Sequence, residues 1–330
     1  MLRAIRFATR YGFVIEPKTL IAISAMAGEI GAVSPERIAV ELRKMLTADG
    51  RAAALTLLST TGLAQEIFPD WEILGATEEA TARLANKLAK LDLAGLMAPI
   101  ATVFAALLSE SILVNYERVR ESSDAFRARL KLSNNETLGI ANTLLIANTI
   151  LQADGLPWSL VQPALTHPDA ASGLCLARAT LAIEQLSLTN PSSAESERDP
   201  EGDLCSGRPS ATRVRRLFKP HDFLRSNHSK AGNAELTERV QPGLTSAEET
   251  LNAADLVNRM QSSIHICQRA LALSHKELDP PPLLDGLSLQ KLGVRPGPDF
   301  ALLLTEIRRQ QLDGVLSTEQ MAIEFVQSQA

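Results

Sequence analysis

Apolar residues recur along most of this chain at i, i+3, i+4 and i+7, in stretches of about ten to twenty residues. That period lays one apolar stripe along each helix, so the pattern predicts helices packed face to face as bundles. The helix-ending residues agree with it. Gly12 falls where a first helix needs a left-handed C-terminal residue, Pro17 suits the first turn of a second, and Ser34-Pro35 reads as N-cap and first helical position of a third. Asp49 is placed to cap a fourth helix, closed by Gly62. Within the third helix Ile38, Leu42, Met45 and Leu46 share one face, and Glu36, Arg37, Glu41 and Lys44 share the other.

The helical pattern continues from about Trp71 to Leu188 with more apolar residues, then collapses. Between 190 and 250 Ser, Pro, Gly, Asn and charged residues dominate without any sustained apolar period. The stretch includes SSAESERDPEGD, and its nine basic and ten acidic residues nearly cancel. Lack of an apolar face, rather than self-repulsion, predicts a disordered insertion or linker there. Periodicity returns near Ala253 and runs to His275, and Pro280-Pro281-Pro282 precedes two or three short helices. The expected units are therefore 1–70, 71–189, the insertion 190–250, and 251–330. No repeat at a fixed period and no continuous strand pattern is present.

Composition narrows the class. Hydrophobic residues make up 45% of the 330 and aromatics only 4%, which excludes collagen, full-length disorder and a disulfide scaffold and supports an all-α fold. Two uncharged runs, 93–109 and 137–153, are 17 residues each; the first carries Gly95 and Pro99 and the second Asn142 and Asn148, so buried helices are expected rather than membrane spans. Arginines at 3, 6 and 10 interrupt any secretory leader, and three cysteines thirty or more residues apart fit neither a zinc site nor a disulfide framework. Both features point to a reducing compartment, and the cytoplasm is the expected location.

The chain's net charge of −5 leaves no global field for a polyanion, so any nucleic-acid contact must come from a local patch. The first 51 residues hold eight basic and five acidic residues and are the more basic part. There Arg3, Arg6 and Arg10 stand at i, i+3 and i+7, one stripe of a helix with Phe7 among them. A row of guanidiniums suits phosphates or base edges; a solvated face paired with neighbouring carboxylates is the alternative. Elsewhere the chemistry is sparse. The five histidines are scattered, no G-x-S-x-G elbow or phosphate-binding glycine loop occurs, and no D-x-D pair follows a strand. No catalytic residue is assigned and no cofactor is expected on this chain.

The opening Met1–Phe7 and the following Ala8-Thr9-Arg10-Tyr11-Gly12-Phe13 resemble the neck helix of class II tRNA nucleotidyltransferases, the CCA-adding enzymes and their poly(A) polymerase relatives. Val33-Ser34-Pro35-Glu36-Arg37-Ile38-Ala39-Val40-Glu41-Leu42 is similar to the neck pattern S-x-E-R-I-x-x-E-L of that family. Thr61-Gly62-Leu63 and Ile67-Phe68-Pro69 resemble its closing segment. Leu283-Leu284-Asp285-Gly286 and Leu292-Gly293-Val294-Arg295-Pro296-Gly297-Pro298 resemble its tail, with Ala301 where a glycine is common. That loop opens a helix near Asp299 whose amides, with Arg295, face a phosphate on this reading; a plain Pro/Gly helix start is the alternative. In the middle, Ala105-Ala106-Leu107-Leu108-Ser109-Glu110 is similar to the L-L-H-D helix of an HD phosphohydrolase domain, with Ser-Glu in place of the metal-binding pair, and Arg129–Asn134 supports the same alignment.

The resemblance implies an all-α neck, a degenerate HD-like body without hydrolase chemistry, and a tail; an unrelated helical body is the alternative for the middle. It implies tRNA as partner and, by motif position, places Arg3 and Arg6 in the pocket for ATP or CTP, exposed and largely without intramolecular partners. Arg10, Arg37 and Arg295 are weaker candidates for RNA contact. The family's catalytic head, its D-x-D and the Mg²⁺ these hold lie upstream of the matched motifs. The chain is thus expected to be an N-terminally truncated, inactive RNA-binding portion, with a head supplied in trans or by an upstream reading frame. The rival is a noncatalytic helical module, derived from the family and used for protein contacts.

Overall fold

The structure, a computed structural model, describes residues 1–68, 77–112, 116–189 and 252–329, without the side chains of 110–118 and 298. The regular elements described are all helical, as the all-α pattern requires. The expected insertion at 190–250 lies outside the described residues.

The neck is built from α1 (Leu2–Tyr11), α2 (Pro17–Ala25), a 3₁₀ segment (Ala27–Ala32), α3 (Pro35–Leu46), α4 (Arg51–Thr60) and α5 (Leu63–Ile67). Its punctuation follows the sequence. Gly12 closes α1 at φ 69°, Pro17 and Pro35 open α2 and α3, and Gly62 stands at φ 77° between α4 and α5. Glycine adopts such angles at no steric cost, which a residue with a Cβ does not. Ser34 is the N-cap of α3, although its hydroxyl makes no capping bond.

One expectation fails. Gly50, not Asp49, caps α4, and Asp49 points into solvent, 3.9 Å from Arg51. The reason is tertiary: a Cβ on Gly50 would lie 2.4 Å from the Thr9 carbonyl oxygen of α1. The start of α4 is pressed against α1, and this contact selects glycine over the residue with the better capping chemistry.

The body comprises α6 (Glu78–Ala89), α7 (Pro99–Ile112), α8 (Tyr116–Leu130), α9 (Asn134–Leu151), α10 (Trp158–Thr166), α11 (Ala170–Thr189) and α12 (Ala253–Leu271). The two uncharged runs fall largely in α7 and α9. Helix α9 is their hub, packed against α7, α8, α10, α11 and α12. Its apolar surface is therefore buried nearly all round, which is why its sequence lacks a clean stripe. Where α11 crosses α9, a Cβ on Gly173 would meet Ile146 Cγ2 at 2.2 Å, so glycine sets that close approach. Among the described residues no helix is long and apolar enough to cross a membrane.

Neck and body share one core. Phe68, after α5, packs against Phe104 of α7 and Phe126 of α8, with ring centroids 5.3 to 6.3 Å apart. Met260, Ile264, Cys267 and Ala270 of α12 join the same core from beyond the 190–250 segment. The tail forms a second, smaller core. Leu289, Ile307, Ala322 and Val326 converge from α14 (Gly286–Lys291), α15 (Pro298–Leu312) and α16 (Glu319–Gln329), joined by Leu284 and Leu316 of the connecting segments. The short α13 (His275–Leu278) leads into it. A polar joint links the tail to the body: Asp313 accepts hydrogen bonds from the Ser159 amide and hydroxyl at 2.8 and 2.9 Å, and Asp279 accepts from Gln162 and Arg308.

Candidate nucleic-acid interface

Helix α1 buries Leu2, Ile5 and Ala8 against α3 and α4, which turns the arginine stripe away from the core. The helix holds three arginines and no acidic residue. The expectation that Arg3 and Arg6 are unpartnered is overturned. Both reach Glu41 of α3, Arg6 Nε at 2.7 Å from Oε2 and Arg3 Nε at 3.3 Å from Oε1. Glu41 sits two helical turns from the start of α3, facing α1, and one carboxylate there meets two forks.

The two arginines differ in what they leave open. The Arg3 side chain is 71% exposed, whereas that of Arg6 is 13% exposed and its guanidinium lies 4.3 Å from the Phe7 ring centroid. Arg6 is a packed residue holding α1 to α3; Arg3 keeps most of its surface toward solvent. Partial burial raises the Glu41 carboxyl, but the hydrogen bonds and charges of Arg6 and then Arg3 outweigh it and hold the group below its ordinary value.

Beside this pair a groove of about 490 Å³ runs between the start of α1 and α3, lined by Met1, Arg3, Val33, Arg37, Val40 and Lys44 among others. Arg3, Arg37 and Lys44 bring positive charge to it, Glu36 and Glu41 bring negative charge, and Arg37 is exposed. Arg10 is also exposed, its guanidinium 5.9 Å from the Tyr11 ring centroid. The structure thus gathers Arg3, Arg6, Arg10 and Arg37 on two adjacent neck helices. Arg295 is exposed too but stands in the tail, outside that cluster. The helix after it begins at Pro298 with Gly297 as N-cap, so its first position offers no amide proton.

Two features escaped the sequence reading. Glu41 was visible only as one of several carboxylates on the polar face of α3; its part as shared acceptor needed the packing of α1. In the body, the Lys87 side chain is fully buried and its Nζ donates to Ser109 Oγ at 3.0 Å, while that hydroxyl donates to the Ala106 carbonyl at 2.8 Å. Ser109 is the residue aligned, by resemblance, with the histidine of the L-L-H-D pattern; the Glu110 side chain is outside the described residues. On that resemblance the buried Lys87 amine stands beside the position where the pattern has a metal ligand. Among the described residues no three His, Cys, Asp or Glu side chains cluster as metal ligands.

The match to a known family overlaps this region from Gly12 onward, taking in α3 but not α1. Residues 12–74 match the family described as "Probable RNA and SrmB- binding site of polymerase A". The CCA-adding enzyme of Levilactobacillus brevis is 45% identical over 65 residues, covering 20% of this chain and 16% of that enzyme. The CCA-adding enzyme of Blochmanniella pennsylvanica is 38% identical over 77 residues, covering 22% and 19%. The Multifunctional CCA protein of Nitrosococcus oceani is 38% identical over 76 residues, again 22% and 19%. The matches span about a sixth to a fifth of the length of these relatives. The neck therefore carries the helical module that this family model describes as a probable RNA-binding site, and the chain is similar over a short stretch to the CCA-adding enzymes.

Proposed function

We propose that this chain serves tRNA 3′-end processing as the RNA-holding part of a CCA-adding or poly(A)-polymerase-type nucleotidyltransferase. The observation that carries the proposal is that the family match at 12–74 takes in the exposed Arg37 of α3 and begins at Gly12, the residue that closes α1, just after the exposed Arg10. Arg10 and Arg37 hold phosphates, with Arg295 of the tail as a further, separate contact; such contacts position an RNA without reading its sequence. Arg3 and Arg6 lie toward ATP or CTP in the complete enzyme, Arg3 through its open face and Arg6 by fixing α1. Transfer of CMP or AMP, with Mg²⁺ bound by acidic residues, belongs to that complete enzyme, and no residue of this chain is assigned to the metal. A cytoplasmic location is part of the same proposal.

The test is equilibrium binding of tRNA to the full chain across a range of salt. Binding should weaken as salt rises, and Arg10→Gln and Arg37→Gln should each lower the slope of log K against log salt by about 0.7 to 0.9. Absence of tRNA binding would reject the proposal and leave the protein-contact module. Binding whose salt dependence neither variant changes would remove α1 and α3 from the interface.

A further inference from the structure

The chain holds nine Phe, two Tyr and two Trp, and its core uses Phe68, Phe104 and Phe126 as buried rings. Against that economy three aromatics within seven residues of the neck are exposed: Phe7 at 42%, Tyr11 at 56% and Phe13 at 65%. They also touch one another. Phe7 and Tyr11 stack with centroids 5.9 Å apart and planes 19° apart, and Tyr11 and Phe13 follow at 5.6 Å and 31°.

Local geometry builds this ladder. Phe7 and Tyr11 are one helical turn apart on α1. The left-handed residue Gly12 then reverses the chain, and the Phe13 amide donates back to the Ala8 carbonyl at 3.0 Å, a closure that carries the Phe13 ring onto Tyr11. That closure commonly brings an apolar contact to the helix end; here the contact stays open to solvent. Arg6 and Arg10 place their guanidiniums over Phe7 and Tyr11.

We infer that the Phe7–Tyr11–Phe13 ladder is a stacking platform for unpaired bases of a single-stranded RNA segment, with Arg10 on the neighbouring phosphates. This rests on the RNA-binding reading of the neck and says which part of an RNA the end of α1 takes. Charge complementarity selects the occupant. Of the three arginines of α1, Arg3 and Arg6 share Glu41 and Arg10 stands exposed beside the Tyr11 ring, so ring and charge lie side by side as base and phosphate do along a strand. Stacking accepts any base, since every base has a π-face, and a duplex hides those faces inside itself.

The experiment measures binding of the full chain to a short fluorescent oligoadenylate and to an RNA duplex of the same length. The wild-type chain should bind the single strand, and Tyr11→Ala and Phe13→Ala should each weaken it about 5- to 100-fold with duplex binding unchanged. Tyr11→Leu, which keeps an apolar side chain without a ring, should lose as much as Tyr11→Ala, whereas Tyr11→Trp should retain binding. Arg10→Gln should lower the salt slope, which the ring variants leave alone. All three positions are on the surface, and matching thermal melts check that the variants are folded.

Full single-strand affinity in the Tyr11→Ala, Phe13→Ala double variant would overturn the inference. If Arg10→Gln and Arg37→Gln still weaken tRNA binding in that case, the RNA-binding reading itself stands and only the platform falls. A double variant that changes self-association by light scattering, with RNA affinity intact, would overturn it as well and assign the rings to contact between copies of the chain. No binding of any RNA by the wild-type chain would remove both readings together.

Discussion

Neck and body solve the placement of charge and aromatic rings in opposite ways. In the neck, Arg3, Arg10, Arg37, Tyr11 and Phe13 face solvent, and the single carboxylate of Glu41 gathers Arg3 and Arg6 at the edge of the groove. In the body, rings and even an ammonium are sealed: Phe104 and Phe126 are 0 to 1% exposed, and Lys87 is 0% exposed against Ser109. Within one continuous core, the end of α1 keeps rings and guanidiniums at the surface, while Phe104, Phe126 and Lys87 of the body are closed off.

The comparison is most directly broken at the seam between the two regions. Phe104→Ala empties the middle of the Phe68–Phe104–Phe126 cluster and should cost about 3 to 5 kcal/mol in urea denaturation. Because Phe68 belongs to the neck and Phe104 and Phe126 to the body, neck and body should lose stability in one transition. A neck that melts separately, unaffected by the change, would show that the shared core does not couple them.

A smaller effect is expected at the buried ammonium. Ser109→Ala removes the hydroxyl that accepts from Lys87, and loss of a hydrogen bond to a charged group should cost about 1.5 to 3 kcal/mol. Urea denaturation of the variant checks it, and an unchanged midpoint would mean that the hydroxyl contributes nothing to holding the ammonium.

The smallest effect sharpens the contrast within the neck. Arg3→Ala breaks an exposed pair and should change stability by about 0 to 1 kcal/mol, with Arg6→Ala costing more because its side chain is packed and its bond shorter. The carboxyls of Glu41 and Glu136 are both held below their ordinary range. For Glu136, burial acts upward but is outweighed by hydrogen bonds from Ser133 and Arg43. A depressed folded-state pKa contributes stability that is fully present above the unfolded value and is lost as pH falls through the folded one. Stability should therefore fall as the solution is taken from about pH 5 toward lower values, and Glu41→Gln should flatten part of that dependence. An acid limb unchanged by Glu41→Gln would mean that the Arg3 and Arg6 contacts do not persist in solution.

Much of the neck was legible from local signals. Gly12, Pro17, Pro35 and Gly62 mark helix ends through backbone angles that each residue imposes on itself, so no partner need be known. The buried face of α3, with Ile38, Leu42, Met45 and Leu46, followed from period alone. Asp49 failed as a cap because the competing term, the approach of Gly50 to Thr9, joins residues of different helices. The same holds for the Arg43–Glu136 pair at 2.7 Å, 93 positions apart, which ties α3 to the capping box of α9.

By itself, then, the sequence determined the helical class, the helix ends marked by Gly12, Pro17, Pro35 and Gly62, and the arginine stripe of α1, because each depends on residues within a turn or two of one another. Only the tertiary structure decided that Arg6 is engaged and Arg3 largely open, that Lys87 is buried against Ser109, and that α12 completes the body's core. Those outcomes depend on which helix faces pack together, and a side chain's burial and partners come from surfaces far away along the chain.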